Sequence, residues 1–68
     1  MIKIENEKRV PAILAKAARD YCESIGAIEI YNIATLCDRD YRIMYYIMEG
    51  EKRVMRAVIL QTPEEYNR

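Results

Sequence analysis

The run Tyr41–Met48 puts apolar side chains on both alternations of a strand, and no other stretch limits the fold so strongly. Its odd positions read Tyr41, Ile43, Tyr45 and Ile47, and its even positions read Arg42, Met44, Tyr46 and Met48. An antiparallel strand with one wet face alternates apolar with polar residues. A strand written this way needs cover on both sides. Only one segment of the chain carries the pattern of a full helix, and one helix covers one face of a sheet. The second layer is therefore expected from another molecule.

The chain's 68 residues are expected to form a single small α+β domain, 1–68. Domains of this size are often completed by disulfides, metals or oligomerisation. Cys22 and Cys37 form no close-set motif, and the charged opening Met1–Val10 lacks the apolar run of a signal peptide. A reduced, cytoplasmic setting is expected. With no histidine and two distant cysteines, no metal site is expected. Gly26 and Gly50 alone cannot build a phosphate loop, so no cofactor is expected either. The longest uncharged stretch, Ile30–Cys37, has eight residues, far short of the ~20 that cross a bilayer, so no membrane partner is expected. What remains is a protein partner or a second copy of the chain.

Local patterns supply the elements. Val10, Ile13, Leu14, Ala17, Ala18, Tyr21 and Ile25 recur at three- and four-residue steps, which predicts a helix over about Pro11–Ile25 with Ile13 and Leu14 buried. Lys16, Arg19, Asp20 and Glu23 lie opposite, with Arg19 and Glu23 spaced to pair. Pro11 suits the first helical position, and Gly26 suits a left-handed cap. Three strands follow, over about Ala27–Leu36, Tyr41–Met48 and Val54–Gln61, with a weak edge strand at Met1–Glu5. Thr62-Pro63-Glu64-Glu65 reads as a helix start with Thr62 as its cap, giving one nascent turn. The expected fold is α+β: one helix packed on a three-stranded antiparallel meander. This order is similar to that of double-stranded-RNA-binding domains. The likeness ends at the order, because Glu64 and Glu65 stand where those domains present lysines.

Loop lengths then suggest registers. A four-residue loop, Cys37–Asp40, pairs Leu36 with Tyr41, Ala34 with Ile43, Asn32 with Tyr45 and Ile30 with Ile47 on the helix side. It sets Thr35 against Arg42, Ile33 against Met44 and Tyr31 against Tyr46 on the outer side. For the second hairpin, a three-residue loop at Glu49-Gly50-Glu51 puts Met55, Ala57 and Ile59 beneath the helix. Arg56 and Val58 then point outward, which avoids burying an unpaired guanidinium.

Function follows from the faces. Tyr21, Tyr41 and Tyr45 are expected in the core. Tyr31, Ile33, Arg42, Met44, Tyr46, Met48, Arg56 and Val58 are expected on the outer face as an interface, flanked by Val54 and Leu60. Tyr, Met and Arg are enriched at interface centres. Catalysis is not expected: histidine, the commonest acid–base residue, is absent. Asp38 and Asp40 read as turn formers rather than magnesium ligands, and the cysteines as small fillers. Eleven basic and eleven acidic residues cancel, which weighs against nucleic acid. The leading expectation is a small cytoplasmic protein-interaction module, acting as a homodimer or as an inhibitor or adaptor of a larger protein. Small motif-free chains of this kind are common in phages and mobile elements. The alternative is a nucleic-acid-binding regulator using Arg42, Arg56 and Tyr46.

Overall fold

A computed structural model describes residues 1–68. One helix, α1 (Ala12–Ser24), packs on an antiparallel sheet of β1 (Glu29–Thr35), β2 (Asp40–Glu49) and β3 (Lys52–Gln61) in the order β1-β2-β3. Single 3-10 turns, Glu7–Arg9 and Glu64–Asn67, lie towards the two ends. The fold is the α+β arrangement expected from the sequence.

The helix forms where the periodicity places it. Pro11, with φ −56° and ψ 142°, sits just outside as the N-terminal cap, and its carbonyl accepts the first bond from Ala15 N. At the other end Gly26 adopts φ +76°. Ala27 N donates to Cys22 O and Gly26 N to Glu23 O, the paired bonds of a Schellman ending. The buried stripe is Leu14, Ala15, Ala18 and Cys22, whereas Ile13 remains 41% exposed. The helix is thus turned away from the expected stripe, presenting its small residues to β1. Cys22, expected as a small filler, is at the centre of the packing. Burial pushes its thiol up to about 11. Arg19 does not pair with Glu23. It reaches back across the helix to the Glu7 carboxylate at 2.8 and 2.9 Å and to Ile2 O at 2.8 Å.

The N-terminus adds one parallel bridge, Ile4 to Ile30, rather than a full edge strand. Ile30 N donates to Lys3 O, and Glu5 N donates to Ile30 O. Asn6 extends this cover with its side chain: Nδ2 donates to Ile33 O at 2.9 Å, and Oδ1 accepts from Ile33 N at 3.2 Å. The amide thereby stands in for a neighbouring strand.

Both registers differ from the sequence expectation. In the first hairpin Ile33 pairs with Ile43, Ala34 with Arg42 and Thr35 with Tyr41, while Ile30 pairs with Tyr45. The register shifts between Ile30 and Asn32, leaving Tyr31 as a bulged residue. Asp38 and Arg39 both have positive φ, 61° and 63°, as a type I′ turn requires. In the second hairpin Glu49 pairs with Lys52, so the loop is Gly50-Glu51 alone. Gly50 has φ +63° and Glu51 does not share the positive sign, the pattern of a type II′ turn. One residue less in the loop turns β3 over. Val54, Arg56, Val58 and Leu60 face the helix side, paired with Ile47, Tyr45, Ile43 and Tyr41.

The core is Ile4, Leu14, Ala15, Ala18, Cys22, Ala27, Ile30, Ile33, Tyr41, Ile43 and Tyr45. Tyr66 folds back onto it from the C-terminal turn. Thr62 does not cap that turn. Its Oγ1 donates to Arg39 O at 3.0 Å, tying the end of β3 to the first hairpin. The helix packs against β1 and leaves β3 at the margin. The accessible surface is 4845 Å², against about 4,450 Å² for an average monomer of this mass. The overall extents are 42 × 21 × 19 Å, because the tip of the β2–β3 hairpin projects beyond the last β1 pairing at Tyr46.

Candidate protein interface

The side of the sheet away from α1 has no intramolecular cover. Along the central strand it carries Arg42, Met44, Tyr46 and Met48, the even positions opposite buried Tyr41, Ile43 and Tyr45. Pairing then fixes the neighbours. On β1 they are Ala34 beside Arg42, Asn32 beside Met44 and Glu29 beside Tyr46. On β3 they are Ile59, Ala57 and Met55 beside the same three residues, and Arg53 beside Met48.

Of the residues expected on this face, Tyr31, Arg42, Met44, Tyr46 and Met48 are on it. Ile33, Arg56 and Val58 are not. Ile33 is 5% exposed beneath the helix, because the shift at Tyr31 sets it opposite Ile43 rather than Met44. Val58 is half-buried against the core. Arg56 lies on the helix side, yet it remains solvent-exposed and pairs with Glu49. The burial cost that had argued against this orientation does not arise, since the helix stops short of β3. Val54 and Leu60 move to the helix side with Arg56, because the two-residue loop turns β3 over. Met55, Ala57 and Ile59 take the outer positions, and the sequence signal for them was Gly50. Glycine at the first position of a two-residue loop favours the type II′ turn.

The outer face has an apolar centre with charged margins. Ile59 is 59% exposed, Met48 48%, Tyr31 47% and Met55 38%. Tyr31 meets Tyr46 edge to face, with centroids 6.2 Å apart and planes at 75°. The bulge places Tyr31 beside Tyr46 although Glu29 is the direct strand partner. The Arg53 guanidinium lies 4.3 Å from the Tyr46 ring centroid and pairs with Glu29, a cation–π contact that helps hold the ring in place. Nearby, a hydrogen bond from Lys3 holds the Glu5 carboxyl below its ordinary value. Arg42 differs from Arg53 and Arg56: it forms no ion pair, and its Nε is sheltered without an acceptor.

No group of histidine, cysteine, aspartate and glutamate side chains has the arrangement of a metal site. No helix is long and apolar enough to cross a membrane. No protein-family model, curated protein or solved structure matches the chain.

Proposed function

We propose that this chain is a small, non-catalytic protein-interaction module that receives a protein partner on the outer face of its sheet. The observation that carries the reading is the set of exposed apolar side chains that all three strands contribute to the outer face, Tyr31, Met48, Met55 and Ile59. No other element of the chain packs over them, and the Arg53–Glu29 pair lies across Tyr46. Monomers seldom expose a contiguous apolar patch beyond a few hundred Å², and tyrosine and methionine suit the desolvated centre of an interface. Arg42 supports the same reading. Its guanidinium forms no ion pair within the chain, so a carboxylate of a partner can pair with it at that margin. Inhibitor or adaptor of a larger protein, in a cytoplasmic setting, is the form of module proposed.

The charges favour protein over nucleic acid as the ligand. Arg53 and Arg56 are both neutralised by glutamates, which leaves Arg42 as the one unpaired cation of the three, and the Arg53 guanidinium already lies over the Tyr46 ring. A stacking platform for bases needs a free ring and uncompensated cations.

The test is affinity capture with the parent and a Tyr46→Glu variant in parallel, using Lys16→Ala on the exposed side of the helix as control. A specific partner retained by the parent and the control, but lost by the folded Tyr46→Glu variant, is the expected result. Recovery of the same partner by Tyr46→Glu would remove the outer face from consideration.

A further inference from the structure

The sheet has two edges, and the chain treats them differently. Along β1 the edge is occupied: the Lys3–Glu5 backbone bonds Ile30, the Asn6 amide bonds both backbone groups of Ile33, and the bulge at Tyr31 interrupts the strand between them. Along β3 nothing comparable is present. β3 runs for ten residues without proline, and its pairing to β2 continues unbroken from Lys52 to Gln61.

The direction of the free backbone groups follows from the register. Glu49 and Lys52 close the two-residue loop, and beyond the strand Thr62 N donates to Arg39 O at 2.8 Å. Even-numbered residues of β3 therefore direct their N–H and C=O groups towards β2, and odd-numbered ones direct theirs outward. Arg53, Met55, Ala57, Ile59 and Gln61 present a row of backbone donors and acceptors with no partner in the chain. Folded proteins usually block such an edge with a short strand, a proline, a bulge or a covering segment. β3 has none of these devices, although β1 has two. The charges that can also blunt an edge are Lys52, Arg53 and Arg56, and the two arginines are paired with Glu29 and Glu49.

We infer that β3 is a pairing edge, and that its occupant is β3 of a second copy, running antiparallel across a two-fold axis at Ala57. Side-chain chemistry selects both occupant and register. With the axis at Ala57, the hydrogen-bonded pairs are Ala57 with itself, Met55 with Ile59 and Arg53 with Gln61. On the helix side Arg56 meets Val58 and Val54 meets Leu60. No like charges face each other, and half-buried Val54, Val58 and Leu60 gain cover from the second strand. Moving the axis to Arg56 sets two guanidinium groups against each other at the closest cross-strand spacing, about 4.5 Å between Cα atoms. Moving it to Val58 drops Arg53 from the ladder. Only the Ala57 register uses the strand in full without a charge conflict, and a closed two-fold pairing consumes both edges.

The joined sheet places two copies of the outer face side by side, so the inference extends the proposed function without depending on it. A partner on the outer face and a copy at the edge are lost through different substitutions. Ala57→Pro is selective for the edge, because its N–H points away from β2 and proline is tolerated there within the chain. In the dimer it removes both donors at the axis and sets two rings against the opposite strand. The expected rise in dissociation constant is at least about a hundredfold. Sedimentation at rising concentration should show a dimer for the parent and for Tyr46→Glu, but a folded monomer for Ala57→Pro.

Amide hydrogen exchange on the parent supplies a second reading should Ala57→Pro not fold. The odd-numbered amides of β3 should be protected in concentrated protein and lose protection on dilution, while the even-numbered amides from Val54 to Leu60 stay protected throughout. A parent that is monomeric at millimolar concentration overturns the inference. So does a dimer that survives Ala57→Pro, or one whose odd-numbered β3 amides exchange freely. Edge amides protected only by a foreign protein would likewise overturn the second copy as occupant.

Discussion

Leu14→Ala tests the packing on which every placement above depends. Leu14 is fully buried, flanked by Val10, Ile33 and Tyr66, and held towards β1 by a helix whose other buried residues are small. Removing three carbons forfeits about 2.4 kcal/mol at ~0.8 kcal/mol for each buried methylene. The cavity left behind raises such losses to the observed range of roughly 2.7–5 kcal/mol. Tyr66 belongs to a single terminal turn and can close part of the void, so a loss of about 3 kcal/mol is expected. For a 68-residue chain, total stability lies at roughly 3–10 kcal/mol, and the variant sits at the margin of folding. Urea melts followed by circular dichroism, with and without a stabilising osmolyte, give the difference. The neighbouring substitution makes the test discriminating. Ile13 is 41% exposed, and at the same rate Ile13→Ala should cost no more than about 1.4 kcal/mol, with little cavity cost and a few tenths returned by the better helix propensity of alanine. The sequence periodicity alone would rank the two residues as equals. Equal losses at both positions, or a loss below about 1 kcal/mol at Leu14, would refute the observed rotation of the helix.

Two further outcomes follow from side chains that act at a distance in sequence. Asn6→Ala leaves the N–H and C=O of buried Ile33 without partners and should destabilise by about 1–3 kcal/mol; an unchanged melt would mean that solvent replaces the amide. The hydrogen bond from Arg19 holds the Glu7 carboxyl below its ordinary value. A depressed carboxylate contributes stability above its unfolded value, near 4.5, and that contribution is lost as pH falls through the lower folded value. Melting temperature should therefore decline on acidification from about pH 4.5 downward, and Glu7→Gln should flatten part of that decline, with Glu5 supplying another part. An acid limb identical in Glu7→Gln would remove the pair from the account.

Much of the outer face was legible because β2 carries its whole argument within one strand. Alternation alone separates Tyr41, Ile43 and Tyr45 from Arg42, Met44 and Tyr46, whichever strands lie beside them. The flanking strands were harder, since their faces depend on loop geometry. Four residues between Leu36 and Tyr41 gave a plausible register, but Asp38 and Arg39 take the left-handed conformation and Tyr31 bulges. Ile33 consequently enters the core. Arg56 shows the opposite error: its outward placement rested on a desolvation cost that assumes the helix covers β3. The strand lies beyond that cover, so Arg56 and Glu49 pair in solvent and the cost is absent.

Sequence by itself determined the elements of this protein: the helix from its three- and four-residue spacing and Gly26, the strands from their composition, and the two apolar sides of β2. These are local properties, fixed by the backbone period of each segment. Tertiary structure alone decided the registers, the side of β3 that faces the helix, the Asn6 cover on β1 and the bare edge of β3. Those are relations between segments far apart in the chain. A slip of one residue exchanges the faces of a whole strand, and a single bulge or a loop shorter by one residue is enough to cause it.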